Sequence, residues 1–549
     1  MKKQIILLIL ICLALSCSQK LRTVISPWIP YDESEEIIEN ADHESVRMRY
    51  KIIQSQILDK NRLWKDINVQ ISDFSEDDYQ RLKPLIFEQN IPEIQSHIQS
   101  GKLTYKALTQ WYLYRIGKYE NDRYRMLNAI VAINPNAVDE AREKDKNIFS
   151  GDHPIYGMPI LIKDNINVEG MPTTAGTHLL RNNEASDAFI IEKIKDKGGI
   201  ILGKTNLSEW ANFLFLGGPN GFSAIGGQTL NAYGRRIFDT GGSSSGSGVA
   251  MAAHYAAAAV GTETSGSILS PSSKSSLVGL KPTVGLLSRS GIVPISSTLD
   301  TPGPMTRNVI DNAILLSAMS GEDPEDASTR DNPKNKKYLE MLESGTLKGL
   351  RVGVNKSLLR DSIYRLNIEK IKSYGGIAVE FEPERLDFDG FGNLLSADMR
   401  IDLPNYLNKH ASDDIELRTM KEIVEYNKQD SLLRIPYGQA RFFRATTVDL
   451  STEELNQLKS RLNKEAVRFF ETPMEEHQLD VILSVDNRNA GYAAAAKYPC
   501  LTIPMGYRDS GQPTGLTFIA RPFEEDKLLK IGYAFEQVTK ERKFPVEYN

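Results

Sequence analysis

Cysteine and histidine are both scarce in this chain. Only Cys12, Cys17 and Cys500 occur among 549 residues, too few for a disulfide framework or a cysteine-based metal site. The seven histidines show no H-E-x-x-H or other close ligand spacing, so neither a metal nor another cofactor is expected. Excess positive charge is missing too. With 66 basic and 71 acidic residues spread along the chain, the net charge is −5, which argues against the basic face that nucleic-acid binding needs. The apolar run from Ile5 to Leu15 falls short of the roughly 20 residues that span a bilayer. Internal repeats and low-complexity linkers are also absent. What is present is a chain 41% apolar, able to bury one large core and suited to a small-molecule or peptide partner.

Lys2 and Lys3 precede that apolar run, and a small residue, Ser16, stands before Cys17. This pattern reads as an export signal over residues 1–17. Its ending, "LALSC", resembles the lipobox of bacterial lipoproteins. The resemblance implies lipidation of Cys17 and an exported protein held in the cell envelope by a lipid anchor, facing the periplasm or on the outer membrane. The alternative is an ordinary signal peptide with an incidental cysteine. Residues 18–75 are charged and read as a helical N-terminal extension, one or two surface helices without visible chemistry. Residues 76–549 form the main domain.

Within that domain, short apolar runs alternate with helical patterns: "PILIK", "GGIILG", "GLRVGV", "LDVILSV", "PCLTIPMG" and "GLTFIA". Such alternation indicates an α/β fold, a sheet covered by helices. Thr104 is placed to cap a helix whose Leu108, Trp111, Tyr112 and Ile116 form one apolar stripe. Cys500 reads as a core strand residue. The polar, helical stretch from about 385 to 475 is expected to cover the sheet and help line a substrate entrance.

Chemistry concentrates in "GGSSSGSGVAMAAHYAAAAVGTETSGSI", residues 241–268. Gly242-Ser243-Ser244-Ser245-Gly246 matches G-x-S-x-G, which would make Ser244 a nucleophile with a histidine base. That elbow needs an apolar strand before it, whereas "NAYGRRIFDT" is polar and turn-like, and His410 and His477 lie in charged helical segments. A phosphate loop fails as well, for no G-K-[ST] follows the glycines. Without a histidine, the proton acceptor that remains is a lysine whose pKa burial has lowered. Lys163 is the best placed, at the end of the apolar run "PILIK". A lysine snorkelling from a strand edge is the bland alternative.

The combination of "GMPILIKDNINVEGMPTTAGT", "GGSSSGSGVA", "GTETSGSI" and "GLKPTVGLLSRSGIVPISSTLDTPGPMTR", in that order, resembles the amidase signature family. The resemblance runs from about residue 90 to the C-terminus and is nearest to the branch containing bacterial peptide amidases. It implies an open, mixed, twisted sheet sandwiched between helices, and a Ser-Ser-Lys triad. Ser267 falls on the nucleophile, Ser243 on the bridging serine and Lys163 on the base, with the family's spacing between the two serines. It further implies a cis peptide before Ser243, for which Gly242 provides room, and an oxyanion hole from the backbone N–H groups of Thr264, Ser265, Gly266 and Ser267. Ser244 is expected to orient Lys163 or Ser243. Two departures, Ser265 and Leu269, leave the triad intact and bear on the substrate. The function implied is hydrolysis of linear carboxamides, either C-terminal peptide amides or small amides, to carboxylate and ammonia through an acyl-enzyme. Its alternatives are an ammonia-generating amidotransferase A-type subunit and a non-catalytic binding lipoprotein on the same scaffold.

Overall fold

The computed structural model describes residues 24–148, 151–330, 332–333 and 336–549; residues 1–17, read above as an export signal, and with them Cys17, lie outside the described residues. Eleven strands make one mixed sheet. They are β1 (Ile130–Ile133), β2 (Pro159–Lys163), β3 (Ile200–Thr205), β6 (Ala258–Glu263), β7 (Val278–Lys281), β8 (Thr301–Thr306), β9 (Arg351–Asn355), β10 (Ile377–Phe381), β11 (Val481–Val485), β12 (Cys500–Tyr507) and β13 (Pro513–Ile519). A separate two-stranded ribbon, β4 (Phe222–Ser223) with β5 (Gly227–Gln228), stands beside it. The order across the sheet is β1-β3-β2-β6-β8-β7-β12-β13-β11-β9-β10. Strand β2 runs parallel to both β3 and β6, whereas β8 and β7 are antiparallel. This is the open mixed sheet between helices that the sequence motifs imply.

Burial explains the composition of the central strands. Every residue of β2, β3 and β6 is buried, as expected for strands covered on both faces, where apolar runs replace alternation. The crossover from β2 to β3 carries the helix Phe189–Asp196, and that from β3 to β6 carries Ser245–Ala252. The latter helix is rich in serine, glycine and alanine, which lets it pack closely: a Cβ on Gly246 would lie 2.3 Å from the Asn206 carbonyl oxygen. Thr104 caps its helix by accepting from the Ala107 N–H at 3.1 Å, and the predicted stripe below it is fully buried. Cys500 is a buried residue of β12.

The N-terminal extension differs from the surface position expected of it. It is helical over Ser34–Ala41 and Lys60–Gln70, but Ile53, Leu63, Trp64 and Ile67 are buried in the main hydrophobic core. The charges on these helices disguise a narrow apolar face. The Ile53 carbonyl accepts from the Gln228 N–H at 2.9 Å, docking the extension on the ribbon. Among the described residues no helix is long and apolar enough to cross a membrane.

Candidate active site

Lys163 is the last residue of β2, and Thr262 and Glu263 end the neighbouring strand β6. The chain then turns through Thr264–Ile268 into the helix Leu269–Lys274. The helix Ser245–Ala252 starts beside this turn, preceded by the cis peptide Gly242–Ser243. Ser243, Ser267 and Lys163 thus meet at one strand end. The Ser244 N–H donates to the Ser267 carbonyl at 3.2 Å, tying the two serine segments together.

Lys163 is completely buried. Its Nζ donates to Ser243 Oγ at 2.8 Å, Thr262 Oγ1 at 2.8 Å and the Thr262 carbonyl at 3.2 Å. Among the described residues it has no ion pair. Lys204 provides the contrast, being equally buried but 3.1 Å from Asp164. Desolvation brings the Lys163 pKa down to about 7, with Asp300 and Glu263 pulling weakly the other way. Burial disfavours the charged amine, so a large share of Lys163 is neutral near pH 7 and can accept a proton.

Ser267 lines a cleft of about 650 Å³, together with Gly242, Thr264 and Ser265. Among the described residues its hydroxyl has no hydrogen-bond partner, so the link from Ser267 to Ser243 is open while that from Ser243 to Lys163 is closed. A Cβ on Gly242 would lie 2.6 Å from Ser208 Oγ, so a side chain at that corner would force Ser208 to move. Gly266 has φ 96°, and a side chain there would meet Asn487 Nδ2 at 2.7 Å.

Two expectations change in detail. The Gly266 N–H is not an open donor, because it donates to Glu263 Oε1 at 2.6 Å. The buried Glu263 carboxylate needs donors and takes three, the others being Ile268 and Leu269 N–H at 2.8 and 3.0 Å. The N–H groups of Thr264, Ser265 and Ser267 remain without a partner among the described residues. Among the described residues the Ser244 hydroxyl makes no hydrogen bond to Lys163 or the Ser243 side chain. Its Oγ instead donates to the Thr262 carbonyl at 3.1 Å and accepts from the Thr262 N–H at 3.2 Å, fixing the residue that holds Lys163.

Sequence reasoning missed Thr262 as a lysine holder and Glu263 as the brace of the turn, although both lie in the "GTET" stretch. It also missed Asn165, whose Nδ2 donates to Thr262 Oγ1 at 3.1 Å. Asp300 accepts from Thr264 Oγ1 and is held up at about 6 by burial. Trp210, Ala211 and Asn212 form a further unforeseen feature, a run of left-handed residues with φ of 50°, 53° and 73°. Such a run is costly away from glycine, and it sets Ala211 and Asn212 in the cleft wall.

A histidine base has no support. His254 is buried against Glu88 and stacked on Phe87, and among the described residues no histidine hydrogen-bonds to Ser243, Ser244 or Ser267. No strand leads into Gly242, so the elbow geometry is absent. What the site can do is move a proton from an open serine hydroxyl through a second hydroxyl to a neutral amine, beside backbone N–H groups that can hold a developing oxyanion.

The Amidase family model matches residues 107–487. A probable amidase of Arabidopsis thaliana is 33% identical over 479 residues, covering 84% of this chain and 92% of the plant protein. The structure of an amidase family protein from Bacillus anthracis superposes with a TM-score of 0.86 at 34% identity, covering 90% of this chain and 99% of that one. Native peptide amidase from Stenotrophomonas maltophilia gives 0.79 at 35% identity, with 84% and 98% covered. The protein therefore belongs to the amidase signature family and is a hydrolase acting on amides.

Proposed function

We propose that the protein cleaves linear carboxamides, C-terminal peptide amides foremost, releasing ammonia through an acyl-enzyme on Ser267. Ser267 Oγ attacks the carbonyl carbon; its proton passes to Ser243, whose own proton passes to neutral Lys163. The carbonyl oxygen becomes an oxyanion stabilised by the N–H groups of Thr264, Ser265 and Ser267. As the carbon–nitrogen bond breaks, the proton returns through Ser243 to the leaving nitrogen and ammonia departs. Water then adds to the acyl carbon with the same relay as base, regenerating Ser267 and releasing the carboxylate.

The observation that carries this reading is the buried Lys163 amine, without a counter-ion and 2.8 Å from Ser243 Oγ. The similarity to a peptide amidase at 35% identity supports the substrate class. The test offers the purified protein matched peptides with free and amidated C-termini, an aromatic amide and a long-chain fatty amide, and measures ammonia. The expected order has the amidated peptide first. A fatty amide or an internal peptide bond preferred by tenfold or more would refute the substrate while leaving the relay standing.

We further propose that the enzyme is exported and anchored through Cys17, as the export signal suggests. Cys17→Ser should move it from the membrane fraction to the soluble fraction or leave it unprocessed. Unchanged fractionation with normal processing would reject the anchor.

A further inference from the structure

The cleft above Ser267 has a wall that the relay does not use. Arg441 and Arg444 reach it from the helix Ala440–Thr447, and Arg47 reaches it from the N-terminal extension. Among the described residues none of the three makes an ion pair. Arg444 Nη2 donates to Asn393 Oδ1 at 2.6 Å, and Arg47 Nη1 to Asn220 Oδ1 at 2.8 Å. Among the described residues Arg441 makes no side-chain hydrogen bond; its Nε is shielded from solvent without a partner, and its guanidinium lies 5.6 Å from the Phe213 ring centre.

The other charges on this wall do not neutralise the group. Lys274 faces Asp486 at 3.5 Å. Asp239, the carboxylate on the wall, accepts from Asn220 Nδ2 at 3.0 Å to each oxygen and from the Gly241 N–H at 2.9 Å. Asn220 therefore stands between Asp239 and Arg47, and among the described residues no carboxylate pairs with Arg441 or Arg444. Burial and repulsion from Arg47 and Arg444 both make the Arg441 cation less favourable than usual. A chain with a net charge of −5 thus concentrates unpaired positive charge over the candidate nucleophile. A low-dielectric cleft focuses such a field on what enters it.

We propose that this arginine group is a subsite for a carboxylate on the acyl part of the substrate, so that the enzyme prefers acidic peptide amides over neutral ones. The proposal rests on the reading of the cleft as an amide-binding site and narrows its substrate. Guanidinium groups suit the task because their fixed fork of donors matches a carboxylate in two-point contact. Phe213, Leu216, Phe391 and Leu395 on the same cleft supply an apolar surface for the rest of the chain. The bound substrate is then an amidated peptide whose apolar terminal residue sits near Ser267 and whose acidic side chains reach the arginines.

The experiment uses acetyl-Glu-Glu-Leu-amide and its uncharged isostere acetyl-Gln-Gln-Leu-amide. Binding is measured by calorimetry on Ser267→Ala and turnover by ammonia release from the wild type. The acidic peptide should bind about tenfold more tightly and be cleaved with correspondingly higher kcat/KM. Adding Arg441→Gln and Arg444→Gln together should bring both ratios close to one. Arg444→Gln alone, at an exposed position where folding is not in question, should reduce them part of the way. Raising the ionic strength from about 0.05 to 0.5 M should shrink the wild-type ratio by screening. Equal or weaker binding of the acidic peptide would overturn the proposal whatever the turnover, as would a ratio untouched by the arginine substitutions. A binding preference that disappears with the arginines, but without ammonia from any amide, would sustain the subsite and overturn the amidase reading instead.

Discussion

Replacing Lys163 by methionine should abolish turnover and change stability in a pH-dependent way, from a small gain at pH 7 to a small loss at pH 9. The folded-state pKa of Lys163, about 7, lies below its ordinary 10.5, so between those values the unfolded chain binds more protons than the folded one. Stability conferred at this site therefore rises with pH across that window. At about 1.36 kcal/mol per pH unit, holding the buried amine neutral costs on the order of 4 kcal/mol at pH 7 and about 2 kcal/mol at pH 9. Methionine fills a similar volume without that cost, but deprives Ser243, Thr262 Oγ1 and the Thr262 carbonyl of a donor. Those losses amount to roughly 1 kcal/mol each and do not vary with pH, so the net gain at pH 7 is only about 1 kcal/mol. The informative quantity is the change in the difference between variant and wild type, which should fall by about 2 kcal/mol from pH 7 to pH 9. Reversible urea unfolding of both proteins at the two pH values measures it. A difference constant to within about 0.5 kcal/mol would show that Lys163 is charged in the folded protein, and the neutral-base mechanism would fall with it.

The same titration governs catalysis: kcat/KM should climb as pH rises through about 7 and level off above it, because only the neutral lysine accepts the proton; a profile flat from pH 5 to 9 would contradict this. Ser267→Ala, Ser243→Ala and Lys163→Ala should each lower kcat by about a thousandfold or more, with double variants little worse than single ones, since the proposed mechanism uses the three as one relay; multiplicative losses in ammonia release would argue for independent roles. Glu263→Gln should lower stability by about 1–3 kcal/mol, because a carboxamide cannot accept the three N–H bonds that the carboxylate accepts. It should also reduce kcat by loosening the Ser267 turn, and unchanged unfolding together with unchanged kcat would reject that bracing role.

The parts of the candidate relay were legible in different ways, Lys163 from its surroundings and Ser243 and Ser267 through the resemblance to the amidase signature family. A lysine ending the apolar run "PILIK" stands out, as do the paired serine-glycine clusters. The strands were legible for the same reason, since buried parallel strands are written as short apolar blocks. Glu263 was not legible as a brace: a carboxylate looks alike in sequence whether it is solvated or buried under three backbone N–H groups. The extension hid its buried face among charges, with Ile53 and Trp64 giving little sign of the core they enter. The arginine wall was less visible still, because Arg47 and Arg441 belong to distant segments that only the folded chain brings together. Residues 385–475 do contribute to the cleft, through Phe391, Leu395 and Arg441 among others. Which of those side chains would lack a counter-ion is a property of neighbours, and neighbours are set by packing.

The parallel pairing of β2 with β6 has a consequence for how such an enzyme can diversify. Ile162 lies opposite Val260, and from that register Lys163 and Thr262 reach one another at the strand ends. A slip of a single residue would send the lysine to the opposite face of the sheet. Lys163 is thus aligned with Thr262 by the hydrogen-bond ladder, deep in the protein, whereas much of the cleft wall comes from outside the sheet, with Arg47 from the N-terminal segment and Arg441 and Arg444 from the helix Ala440–Thr447. Alignment and, if the arginine subsite holds, selectivity are written largely in separate parts of the gene. Mutation can redraw the walls, arginine by arginine, and leave the chemistry running while new amides are tried.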